Sequence, residues 1–170
     1  MIPRILWLFY GYVLVFLTGG TLFITLFVAP VLFAHLGPLK AGESVSVLFP
    51  GYFHLLFTGA LIEVLLLIVL SRLSSSVSRM LVPGWIAGLL LSGFLALFLG
   101  PRALGLKILH DRNPGDPLMS AAFNTAHRET FLINLVLLIG LLFATLNLLS
   151  RTVSAPGQKA PLEKRQGSRG

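Results

Sequence analysis

Residues 5–34, ILWLFYGYVLVFLTGGTLFITLFVAPVLFA, run for 30 positions without a charged side chain. A bilayer core of ~30 Å is crossed by roughly 20 helical residues, so this stretch alone argues for a membrane-spanning helix. A cleaved secretory signal has a shorter apolar core, about 7–15 residues, followed by small residues at the cleavage point. Here Pro30 follows Val28-Ala29 with no A-x-A pattern, so the helix is expected to be retained. Working outward, residues 44–62, 80–101 and 130–150 are likewise uncharged, and the second run reaches Ser71 with only Glu63 interrupting it. Four such runs make lipid the solvent for most of the chain, and a polar side chain inside hydrocarbon then requires a partner or a purpose.

The expected fold is all-α: a four-helix antiparallel transmembrane bundle over residues 1–150, with spans at about 5–30, 52–70, 81–101 and 130–150. Residues 35–50 and 102–129 read as the connections at one end, and the short Ser-rich segment 71–83 as the connection at the other. Asp116-Pro117 reads as an N-cap with proline in the first helical position, so the fourth helix should begin outside the hydrocarbon. Residues 151–170 mix Pro, Gly, Gln and basic side chains, which suits a disordered tail beside anionic lipid.

Only 11% of the 170 residues are charged while 55% are hydrophobic, which leaves room for one bundle and no separate soluble domain. The net charge of +7 does not call for a nucleic-acid partner, because the basic residues sit at helix ends and in the tail. With four spans, both termini share a side. That side holds Arg4, Arg72, Arg79, Arg151, Lys159, Lys164, Arg165 and Arg169, against Lys40, Arg102, Lys107, Arg112 and Arg128 opposite. The positive-inside rule then places both termini in the cytoplasm, in the inner membrane of a bacterium. The chain contains no Cys, which removes disulfides, thiolate metal sites and covalent haem attachment.

Counting upward from the arginines at the termini's side, Glu63 lies about 14 Å up, near the midplane. His54 lies about 27 Å up and Asn134 about 26 Å, with His127 higher and Thr21 and Thr25 close by. Arg102 tops the third span. An outer polar cluster of His54, Arg102, His127, Thr130 and Asn134 is therefore expected, pointing into the bundle. A hydrogen-bond network locking the outer helix ends accounts for it, and a ligand site is the alternative. No cofactor and no metal are expected, since no carboxylate or thiol accompanies the imidazoles at a ligand spacing. Glu63 and His54, nine residues apart, face opposite sides of one helix. A carboxyl group at Glu63's depth costs about 2.5–3.5 kcal/mol on insertion scales, so it should turn inward to Tyr12, Ser92 or Thr145. On the third span Gly84, Gly88 and Ser92 recur every four residues, a device for close helix packing expected to act within the protomer. A homo-oligomer or a second membrane subunit remains open.

One family resemblance emerges from several fragments taken together. They are Ala29-Pro30-Val31-Leu32-Phe33, Ala41-Gly42, Leu48-Phe49-Pro50-Gly51-Tyr52-Phe53, Pro101 and Phe123-x-x-x-His127-x-x-Thr130-x-x-x-Asn134. Over roughly residues 10–150 the chain resembles the transmembrane-protein-205-like family, with Pro30, Gly42, Pro50, Tyr52 and Pro101 at motif positions. Thr130 stands where that family often has Ser, which keeps the hydroxyl. The resemblance implies a small membrane bundle without an agreed activity. In helix plan the chain is also distantly similar to copper-resistance membrane proteins and to a haem-synthesis oxidase, although span one has no His to serve as an axial ligand. The functional expectation is a multi-pass membrane protein, not an enzyme, whose biochemical activity the residues do not define. A small proton-coupled transporter or transporter subunit and a haem- or metal-handling protein are the alternatives.

Overall fold

The computed structural model describes residues 2–73 and 81–153. Four helices are long and apolar enough to cross a membrane: Ile2–Gly37, Lys40–Leu73, Val82–Arg112 and Pro117–Ser150, hereafter spans one to four. No strand occurs among the described residues. The protein is an all-α integral membrane bundle. Spans one and three each pack on spans two and four, so the helices stand in a ring in chain order. The end carrying the termini is called proximal below, and the opposite end distal.

The bundle is apolar on its outer surface as well as inside. Leu8, Val47, Leu90 and Phe143 are all well exposed, as side chains facing lipid should be. Two buried clusters fill the interior. The distal one joins Leu17, Tyr52, Phe53, Leu56, Leu95, Ala96, Leu99 and Leu137, and the proximal one joins Tyr10, Leu14, Leu67, Leu70 and Trp85. Along span two the buried positions Tyr52, Leu56, Gly59, Glu63, Leu67 and Leu70 recur every three or four residues, which keeps one face inward throughout. Gly59 is where spans one and two meet: a Cβ there would lie 2.5 Å from a terminal carbon of Leu17.

The helices extend well past the runs that predicted them. Residues 35–50, expected as a loop, are helical apart from one corner at Gly37, whose φ of 73° and ψ of 167° break the helix. A side chain resists that φ, and the following Pro38 steers its predecessor out of the helical region. The connection expected over residues 102–129 shrinks to the turn between Arg112 and Pro117. Lys40, Glu43, Arg102 and Lys107 are helical residues, because a fall in hydropathy marks where an apolar run ends and not where a helix ends. Asp116 caps span four as expected, its Oδ1 accepting from the Leu118 N–H at 2.8 Å and the Met119 N–H at 3.4 Å. The tail from residue 154 onward and residues 74–80 of the proximal connection lie outside the described residues.

Two π-helical turns interrupt the α-helices, Ile24–Val28 in span one and Leu95–Leu99 in span three. Each is followed two residues later by proline, Pro30 and Pro101. Proline has no N–H to give the carbonyl four residues back, and its ring crowds that carbonyl. A wider π turn placed just before it relieves the crowding while the helix continues. On the proximal side of its π turn, span one packs on span four. Distally the two backbones part, and residues 29–37 do not approach the span-four backbone.

Candidate functional site

Where spans one and four part, a groove of about 290 Å³ opens. Phe33, Phe49, Phe53 and Phe131 form apolar walls, and Thr25, Thr130, Asn134 and His127 supply the polar lining. Thr25 sits within the π turn, so the widened turn is also what brings its hydroxyl to the site. Span two contributes Tyr52, buried on the inward stripe.

A hydrogen-bond network forms the polar floor. The Tyr52 hydroxyl donates to Asn134 Oδ1 at 2.8 Å, and Asn134 Nδ2 donates to Thr25 Oγ1 at 3.3 Å. The Thr21 and Thr25 hydroxyls also lie beside the Tyr52 phenol. Asn134 thus ties spans one, two and four together at one point, with Tyr52 reaching across the diagonal of the ring. Thr130 is buried and donates to the Ala126 carbonyl of its own helix at 2.8 Å. Deeper in the bundle, Thr18 and Thr145 share a hydroxyl hydrogen bond of 2.8 Å between spans one and four.

The expected outer cluster is therefore assembled only in part. Asn134, Thr130 and Thr25 meet in the groove with His127 at its rim, exposed and stacked on Phe123. His54, expected to point inward, is exposed instead, and its Nδ1 lies 2.7 Å from the Pro50 carbonyl. The physical reason is angular: two residues from Tyr52 is about 200° around a helix, so with Tyr52 inside, His54 faces out. Arg102 is also outside the cluster. It approaches Glu129 at 3.8 Å with both side chains largely solvated. Among the described residues no three His, Asp or Glu side chains gather where they could hold a metal ion. His54 and His127 share no pocket.

Glu63 faces inward and is fully enclosed, opposite in sense to His54 as the spacing required. The expected hydroxyl partner is missing. Neither carboxyl oxygen has a hydrogen-bond partner among the described residues. Tyr12 turns outward, Ser92 donates to the Leu89 carbonyl at 3.1 Å, and Thr145 is engaged with Thr18. The small-residue stripe is a second correction. Gly84, Gly88, Gly140 and Ala144 line an apolar groove of about 310 Å³ between spans three and four. A Cβ at Gly84, Gly88 or Gly140 would meet nothing within 4 Å, so the stripe does not draw helices together within the protomer.

Of the motif positions, Pro30 lines the distal groove, Tyr52 holds Asn134 from behind it, and Pro50 accepts the His54 contact. Pro101 follows the second π turn, and Gly42 sits half-buried near the Gly37 corner. Two contributors escaped the sequence reading: Tyr52 as a donor, and Thr18 with Thr145. The spacing of Thr18, Thr21 and Thr25, three then four residues, was the available signal, because it places all three on one helix face.

No curated protein and no solved structure matches the chain. A family model described as a domain of unknown function, DUF4149, matches residues 12–112, a region that contains both π turns, Tyr52 and Glu63. With more than half of its length matched, this four-span chain belongs to the DUF4149 family.

Proposed function

We propose that the chain is a non-catalytic, multi-pass protein of a bacterial inner membrane, with both termini cytoplasmic, that holds a small amphipathic molecule in the distal groove. One observation carries this reading. The groove combines phenylalanine walls with Asn134 and Thr25, fixed by each other and by Tyr52 behind them, so a polar head would meet oriented partners while its chain replaces lipid against the rings. A volume of about 290 Å³ suits a short-chain amphiphile or one segment of a longer lipid. The Thr130 hydroxyl is committed to a carbonyl and not to an imidazole, which favours binding over nucleophilic chemistry. The resemblance to the transmembrane-protein-205-like family supports a membrane bundle of this kind, and the basic tail suits anionic lipid on the cytoplasmic leaflet.

Native mass spectrometry of the full chain, released from bacterial lipid bilayers, tests the reading. A stoichiometric small amphiphile should stay bound to the wild type and be lost from Asn134→Leu and Phe53→Ala. A wild type without adduct, or variants that keep it, would overturn the proposal. Since the chain has no Cys, single cysteines at Asn113 and Ser150 labelled with a membrane-impermeant maleimide test the orientation. Label at Asn113 in intact cells, and none at Ser150, is the expected result.

A second reading, a small proton-coupled transporter or a subunit of one, is favoured by the enclosed and unpartnered Glu63. Uptake into proteoliposomes with and without a pH gradient tests it.

A further inference from the structure

We propose that Glu63 is a proton-exchange site, connected to the distal face of the membrane by a column of hydroxyl groups that Asn134 holds in place and that ends in the groove beside His127. This deepens the transporter reading but does not depend on it, because exchange needs no transported substrate.

The starting point is the carboxyl group, fully enclosed with neither oxygen bonded. A purely structural acid at that depth would be expected to find a donor or acceptor nearby. Toward the proximal end the way is closed by Leu67 and Leu70, each essentially inaccessible, with Trp85 beside them, while Leu14 stands level with the carboxyl group. Toward the distal end the interior is polar in steps. Thr18 pairs with Thr145 at 2.8 Å. Thr21, almost wholly buried, follows one turn higher and lies beside the Tyr52 phenol. Tyr52 bonds Asn134, Asn134 bonds Thr25, and Asn134 and Thr25 line the open groove.

Spans one, two and four each contribute to this column, and it stands on the inward face of span one throughout. Thr18 and Thr21 rest donating to the Leu14 and Leu17 carbonyls at 2.8 and 2.7 Å, so a proton passes along the column when these hydroxyls turn and water joins them, each donating and accepting at once. By helical rise, Thr18 stands roughly 7 Å nearer the distal end than Glu63, a gap that one or two transient waters would bridge. In the exchange the Glu63 O–H bond breaks and the proton passes to a bridging water, each oxygen along the column releasing one proton as it takes one up. One proton leaves at the groove, and a carboxylate remains until a proton returns. No redox partner is required. By helical rise no basic side chain among the described residues stands at Glu63's depth. Span one offers Tyr10 and no charged side chain at that depth, span three Ser92 and Trp85, and span four Thr145; Arg72 is exposed at the proximal end of span two.

The test is infrared spectroscopy of the full chain in lipid vesicles, following the protonated carboxyl band after transfer to heavy water. Glu63→Asp, which keeps the acid, and Glu63→Gln, which deletes it, assign the band independently. The band should shift on deuteration in the wild type. Exchange should slow at least tenfold in Thr18→Val combined with Asn134→Leu, recover in Thr18→Ser with native Asn134, and stay unchanged in His54→Ala. Equal rates in the wild type and the doubly substituted chain would overturn the column, and a band that never exchanges would overturn the site. Exchange without any uptake in proteoliposomes would defeat the transporter reading alone.

Discussion

Removing the Tyr52 hydroxyl tests whether the bundle is tied across its diagonal. In Tyr52→Phe the ring stays in the distal cluster with Phe53, Leu56 and Leu99, so packing is preserved and only the 2.8 Å bond to Asn134 is lost. Interhelical hydrogen bonds in membranes average about 0.6 kcal/mol and reach about 1.7 kcal/mol. This bond should fall in the upper half of that range, for two reasons. It joins spans two and four, whose backbones do not otherwise approach, and losing it leaves Asn134 Oδ1 without its donor. A loss of about 1–1.7 kcal/mol is expected. Because Asn134→Leu also removes the bond to Thr25, the single variants alone do not isolate the pair. The cycle of Tyr52→Phe, Asn134→Leu and the double variant does, measured by reversible unfolding in mixed detergent micelles. A coupling of about 0.6–1.7 kcal/mol is predicted. Additivity within about 0.3 kcal/mol would refute the tie and, with it, the claim that the groove floor is fixed in advance.

Three further outcomes are expected. Gly59→Ala should destabilise the bundle by about 1–3 kcal/mol in the same assay, because the new methyl would collide with Leu17 at 2.5–3.0 Å. Glu63→Leu should raise stability by about 1–3 kcal/mol, since an unpartnered buried carboxyl is replaced by a side chain the core accepts; a lower unfolding midpoint would mean that Glu63 has a partner in the folded bundle. Asp116→Ala should cost about 0.5–2 kcal/mol through loss of the cap, seen as faster amide exchange at residues 117–120.

The membrane bundle was legible because hydrocarbon imposes a simple rule on sequence: about twenty residues without charge. Height along the bundle was legible too, since rise per residue is fixed, and it put Asn134 level with Thr25, to which it bonds. Rotation was not. Nothing in an apolar run marks its inward face until one residue anchors it. Once Tyr52 is known to be inside, Glu63 follows at about 20° from it and His54 at about 200°. The helix extensions at the distal end were hidden for another reason. His35, Lys40 and Glu43 look like loop residues to a hydropathy reading, yet helical hydrogen bonding tolerates them once they stand in water. Proline was the missed signal for the π turns. Pro30 and Pro101 stand out in the sequence as motif positions, but a helix that continues through proline also needs room on its approach.

Those two turns give the chain an unusual kind of genetic sensitivity. A π turn holds one residue more than the α-helix around it, so deleting a single codon within residues 24–28 would restore regular pitch while leaving the faces beyond it in register. Thr25 would lose its place beside Asn134 and Pro30 would meet the carbonyl it now avoids, all without one change of residue type. Among members of this family, in-frame single-residue gaps near the two prolines would then mark the boundary between proteins that keep the groove and proteins that have closed it.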